Sequence, residues 1–246
     1  MTAPPPLPTR GEGRSEGVNF SKREVRVKII SWMSGIALIL FVMILSQGAF
    51  GETGPSVLAE IQKRYESTND IEAGFLQEYI GKVMKQQLKQ DGKVYFKKRG
   101  MMRWDYRTPN QKFISDGLTL WYFQPEENQV FVSDVSKVIK EKTPLAFLAG
   151  EGDLTRDFKI ANFNESASPK EENYVLELIP REPNGVLSKL TLTIDKKSYY
   201  VVQVDVFDGL GNVTRTRFID MKTNVGLPDS FFQFTIPPGT EVLKMQ

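Results

Sequence analysis

Apolar and polar residues alternate along this chain with two different periods, and the change from one to the other organises it. From Pro55 to Ser67 the apolar positions Val57, Leu58, Ile61 and Tyr65 recur at helical spacing with Glu60, Lys63, Arg64 and Glu66 between them. That spacing predicts one amphipathic helix with a single apolar stripe. After the stretch Thr68 to Asp70 the period falls to two. Phe75, Gln77 and Tyr79 alternate with Leu76, Glu78 and Ile80; Val94 and Phe96 follow; then Met102, Trp104 and Tyr106 alternate with Arg103, Asp105 and Arg107. Further alternating runs cover Val130 to Asp134, Tyr174 to Pro180, Leu187 to Ile194, Tyr200 to Phe207, Val213 to Met221 and Phe231 to Ile236. These are strand patterns. Asp91-Gly92, Asp116-Gly117, Asn184-Gly185 and Asp208-Gly209 read as hairpin turns, because glycine accepts the positive φ such turns demand.

About ten strands joined mostly by hairpins predict an antiparallel sheet. With few helices to cover it, so long a sheet must curl to bury one face, as a barrel or half-barrel. One segment interrupts the strands: in "KEKTPLAFLAGEGDLTRDF", Thr143 is placed to cap a helix with Pro144 in its first turn. Leu145, Phe147 and Leu148 make it a short apolar helix ending near Gly150.

The first fifth of the chain has another character. Ser21 to Lys28 is basic, Ile36 to Leu45 is unbroken apolar, and Ala49-Phe50-Gly51 supplies small residues before Glu52. That is the three-part layout of a secretory signal peptide cut before Glu52. The competing assignment is an uncleaved anchor over Ile29 to Leu45, although spanning a bilayer usually takes about 20 apolar residues. Met1 to Phe20, rich in Pro and Gly, reads as disordered sequence or as a start placed too early. The expected organisation is a leader over 1–51 and one domain over 52–246. Of the chain's 32 basic and 30 acidic residues, six and three lie in 1–51, leaving 26 and 27. The remainder is close to neutral and has no basic footprint for nucleic acid.

The chain has no His and no Cys. Disulfides, thiolate or imidazole metal sites, a Ser-His-Asp triad and lipid attachment through an N-terminal Cys are thereby excluded. No phosphate-binding or nucleophile-elbow motif occurs, and Asp116, Asp153 and Asp157 sit at turns or beside basic residues. Neither catalysis nor a cofactor nor a metal is expected. The aromatic run from Gly100 to Phe123, with two Trp, two Tyr and two Phe, is the stronger lead. Its rings are either plain sheet core or, with Met84, Met101 and Met102, adaptable walls for acyl chains.

Five blocks in order carry a resemblance: "FLQEY" at 75–79, "DGKVYFKKRGMMRWDYRTP" at 91–109, "ISDGLTLWYFQP" at 114–125, "TPLAFLAGEGDLTRDF" at 143–158 and "FFQFTIPPGTEV" at 231–242. Together they resemble the periplasmic outer-membrane lipoprotein carrier family, LolA, over essentially all of 52–246. The resemblance implies a curved, unclosed antiparallel half-barrel with a helical lid over a hydrophobic cavity. It implies a periplasmic chaperone, expected to act as a monomer, that takes acylated lipoproteins from the inner-membrane exporter LolCDE to the outer-membrane receptor LolB. On the half-barrel, Phe75, Met102, Trp104, Tyr106, Trp121 and Phe123 are the expected cavity residues, and Leu145, Phe147 and Leu148 the expected lid. Where the family usually reads Arg-Pro-Gly this chain has Lys98-Arg99-Gly100. The family's lid-closing arginine therefore falls on Lys98, or on Arg99 if the strand shifts by one, and a lysine lacks the planar five-donor fork. The alternative function is a periplasmic lipid or lipoprotein sensor that signals through a protein partner.

Overall fold

The computed structural model describes residues 52–83, 85–135, 147–148, 152–165, 172–182 and 187–244. Helix α1 (Gly54–Ser67) opens them. The Thr53 side chain accepts from the Ser56 N–H while the Ser56 hydroxyl accepts from the Thr53 N–H, so two of the first turn's orphan donors are satisfied. Val57, Leu58, Ile61 and Tyr65 are all buried. The helical stripe read from sequence is the one that packs.

Strands β1 (Asp70–Ile80), β2 (Gln87–Lys97), β3 (Met101–Tyr106), β4 (Lys112–Asp116), β5 (Thr119–Gln124) and β6 (Gln129–Asp134) form one meander. Helix α2 (Leu154–Asp157) leads into a second, made of β7 (Phe158–Glu165), β8 (Asn173–Pro180), β9 (Lys189–Asp195), β10 (Val201–Phe207) and β11 (Val213–Thr223). The two meanders join where β1 pairs with β11, so all strands, with the C-terminal β12 (Glu241–Lys244), make a single sheet in the order β12-β6-β5-β4-β3-β2-β1-β11-β10-β9-β8-β7. The sheet is an open half-barrel with a helical cover. Every pairing is antiparallel except β12 on β6. No helix among the described residues is long and apolar enough to cross a membrane.

Three local expectations are corrected. Phe231 to Ile236 is not a strand: Asp229–Phe232 is a 3₁₀ turn, and the paired C-terminal strand lies further on, at Glu241–Lys244. Its hydrophobicity serves packing against the sheet rather than pairing, and Pro228 and Pro237-Pro238 bracket it. Asp91-Gly92 is not a turn but the middle of β2, where Gly92 pairs with Phe75 on one side and Tyr106 on the other. A Cβ on Gly92 would stand 2.1 Å from the Asp105 carbonyl oxygen and 2.9 Å from the Phe75 ring, so glycine is there for close packing. In the β10–β11 turn the positive φ belongs to Gly211, not Gly209, and the Asp208 carboxylate organises the loop by accepting from the backbone of Leu210 and Asn212. Asn184-Gly185, the helix cap at Thr143-Pro144, Met84 and everything read from 1–51 lie outside the described residues.

The inner face, towards α1, carries the core: Phe75, Phe96, Trp104, Leu176, Leu192 and Phe218 are among its buried side chains. At roughly 1.5–3 kcal/mol for each large apolar side chain buried, this cluster dominates the stability of the fold.

Candidate functional site

The inner wall is built by register. Met102, Trp104 and Tyr106 lie on one face of β3, and Trp104 pairs with Phe113 of β4, which pairs with Tyr122 of β5. Paired residues share a face, so Trp104, Tyr106, Phe113 and Tyr122 look inward together. The Phe113 and Tyr122 rings lie 6.2 Å apart. Across β2, Phe75 of β1 stands edge-on to Trp104 at 4.9 Å and to Tyr106 at 5.0 Å. Phe75 and Met102 share this face but are almost fully buried among its core side chains and do not border the cavity.

Between this wall and the helical residue Leu148 lies a cavity of about 280 Å³. Trp104, Tyr106, Phe113, Val204, Val206 and Phe218 form its apolar sides, and Gln77, Thr214 and Thr216 add neutral polar atoms. None of its lining residues is charged. Tyr106 donates its hydroxyl to the Gln77 carbonyl oxygen at 3.2 Å, and the Gln77 amide donates to Thr216 Oγ1 at 3.0 Å. Burial pushes the Tyr106 phenol up to about 12, so it is protonated and a donor at any physiological pH. The arrangement holds apolar material and offers it a few neutral hydrogen bonds; it holds no charge-based chemistry.

Trp121 and Phe123 are not brought to this wall. The β4–β5 register pairs them with Ile114 and Lys112, on the outer face, where both rings meet Phe234 at 6.2 and 5.2 Å. Met101 is outward too, on the strand face opposite Met102. The outer cluster is roofed by the segment after β11. Asp70, itself buried, accepts from the backbone N–H groups of Val225, Gly226 and Leu227 at 2.7, 3.1 and 3.3 Å, and Lys97 holds the Leu227 carbonyl and Asp229. Arg103 lies over the Phe231 ring at 4.6 Å.

Of the expected lid, Phe147 packs on Tyr65 of α1 at 4.6 Å and Leu148 lines the cavity; Leu145 lies outside the described residues. Lys98 and Arg99 lie in the turn between β2 and β3. Lys98 Nζ donates to the Glu66 carbonyl in the last turn of α1 at 2.6 Å, while Arg99 is exposed with φ of 71°. Lys98 thus joins sheet to helix, at the helix end that favours a cation. The acids set aside as structural are occupied as such: Asp116 accepts from Leu118 and Thr119, Asp153 caps α2, and Asp157 pairs with Arg156.

Gln77, Phe113, Val204, Val206, Thr216 and Phe218 are site residues that sequence reasoning did not single out. The legible signal was the Asp116-Gly117 turn: counting outwards from it pairs Ser115 with Leu120 and Phe113 with Tyr122.

The family model described as outer membrane lipoprotein carrier protein LolA matches residues 66–235. An outer-membrane lipoprotein carrier protein of Bordetella avium is 28% identical over 220 residues, 88% of this chain and 98% of that one. One of Methylococcus capsulatus is 22% identical over 213 residues, 86% of this chain and 99% of that one. A solved LolA superfamily protein of Nitrosomonas europaea is 15% identical, with a TM-score of 0.42 over 75% of this chain and 99% of that one.

Proposed function

The chain belongs to the LolA family of outer membrane lipoprotein carrier proteins, and from that premise we propose that it is a periplasmic chaperone for the acyl chains of lipoproteins. It accepts them from an inner-membrane ABC exporter of the LolCDE type and yields them to an outer-membrane receptor of the LolB type. The observation that carries this is the uncharged aromatic cavity between the inner wall and Leu148. Each buried methylene stabilises by about 0.8 kcal/mol, so multiply acylated cargo needs such a shelter to cross water.

Release matters as much as capture. At about 280 Å³ the cavity stands at the lower edge of the range for drug-sized ligands, roughly 300–1,000 Å³. A cavity of that size must widen to load multiply acylated cargo, so this is the narrower, more closed of the two forms. A dry, enclosed void of this size would cost about 7 kcal/mol at roughly 24 cal/mol per Å³, so Leu148 competes with cargo for the space. Net affinity becomes a difference between two fillings. Lys98, tying the β2–β3 turn to α1, favours the closed one and is the better candidate of the basic pair for the lid-closing role.

Depletion in the native cell is the test. Outer-membrane lipoproteins should accumulate at the inner membrane; correct sorting with only an altered stress response would instead identify a sensor.

A further inference from the structure

Trp104 is 4% exposed and its indole Nε1 has no hydrogen-bond partner among the described residues. Buried indole N–H groups ordinarily find an acceptor, because leaving one unmade forfeits its hydration with nothing in return. The neighbours of this ring are other rings: Phe75 at 4.9 Å, Phe96 at 5.6 Å, and Tyr106 and Phe218 each at 6.4 Å. Tyr106 has already committed its hydroxyl proton to Gln77. Trp104 lines the cavity through its ring, while Nε1 itself is closed to solvent in this form, so the acceptor it lacks can come from what the cavity holds once the cavity widens to load.

The other polar atoms facing that space point to the same ligand group. Gln77 spends its carbonyl oxygen on Tyr106 and one amide proton on Thr216, which leaves it a second amide proton. Thr216, accepting from Gln77, keeps its own hydroxyl proton to give. The wall is therefore rich in donors and, with no lining cation, unsuited to a carboxylate or phosphate, whose burial unpaired is prohibitive. What fits is an uncharged acceptor on an acyl chain.

We infer that Trp104 Nε1–H, supported by the Gln77–Thr216 pair, binds the carbonyl oxygen of an ester- or amide-linked acyl chain. The site thereby selects glyceryl-ester and acyl-amide lipids over free fatty acids and over ether-linked or plain hydrocarbon chains. This rests on the carrier function proposed above and adds to it the polar feature by which cargo is told from other apolar matter.

The test compares 1,2-dioctanoylglycerol with its 1,2-dioctyl ether analogue, which has the same chains without carbonyls, by calorimetric titration into the purified full chain. The ester should bind about three- to tenfold more tightly, the range for one net hydrogen bond. In W104F, and with benzothienylalanine at position 104, which keeps the ring shape and lacks the N–H, the two lipids should bind alike. In ¹⁵N-indole spectra the Trp104 proton should move downfield with the ester and stay in place with the ether. Equal affinity in the unaltered chain, or a preference that survives the benzothienyl replacement, overturns the inference and leaves the carrier function intact. Binding of neither lipid overturns both.

Discussion

The aromatic run from Gly100 to Phe123 serves two clusters on opposite sides of one sheet, and the contrast shows what separates a binding wall from a core. The inner rings, Trp104, Tyr106 and Phe113, border a cavity, and one of them carries an unanswered donor. The outer rings, Trp121 and Phe123, are covered by Phe234 and by a strap that Asp70 and Lys97 fasten through its backbone. Residue type is the same on both sides. The difference lies in whether another part of the chain fills the space, and beside the inner rings it leaves room.

If the outer cluster is structural, damaging it should cost stability and spare binding. Phe232 is fully buried in the 3₁₀ turn against β3 and β4, and Phe232→Ala should destabilise by about 3–5 kcal/mol. Urea unfolding would show this, with lipid affinity per folded molecule unchanged; lost affinity in a folded variant would break the division between the two sides. Asp70→Ala, which strands three strap N–H groups that water can partly reach, should cost about 2–3 kcal/mol and open Val225 to Leu227 to proteolysis.

On the inner side, Tyr106 gives a pH signature. Its folded pKa of about 12 stands above the unfolded value near 10, so the folded state holds its proton longer. The contribution is complete below pH 10 and is lost as pH rises from about 10 to 12, amounting to about 2–3 kcal/mol over the two units. Tyr106→Phe should make the alkaline loss of stability shallower by that share, measured by urea midpoints from pH 9 to 12. An unchanged slope would show that the inner wall does not desolvate the phenol. The smallest effect concerns closure. Lys98→Leu, at an exposed contact, should cost about 1 kcal/mol or less and slow transfer of loaded cargo to a receptor, because the closed form competes less well. Arg99→Leu, which loses no hydrogen bond to the helix among the described residues, should transfer normally; the reverse ranking would reassign the role.

How far the sequence carried the fold follows from the range of each interaction. Helix α1 was legible because Val57, Leu58, Ile61 and Tyr65 encode their face locally, and so was alternation within β1 and β3. The central β1–β11 pairing was not, since it joins Ile71 to Thr223 and no local signal spans such a distance. Asp91-Gly92 carried turn chemistry yet served packing, which the Asp105 carbonyl and the Phe75 ring crowding Gly92 explain. Trp121 and Phe123 went to the wrong side because alternation fixes relative faces inside a strand, whereas phase between strands depends on the turns, and one residue of slip inverts every side chain. Trp104 and Tyr106 do line the cavity; their silent partners Val204, Thr216 and Phe218 come from the second meander and are ordinary strand residues in sequence.

The most direct test of the central claim, that cargo occupies the inner side alone, is photo-crosslinking of an acylated lipoprotein to carriers bearing a photoreactive residue at Phe113 or Val206 inside and at Trp121 or Phe123 outside. The inner positions should give adducts and the outer ones none. Labelling at Trp121 or Phe123 that equals or exceeds the inner positions, in protein that still folds and transfers cargo, would contradict it.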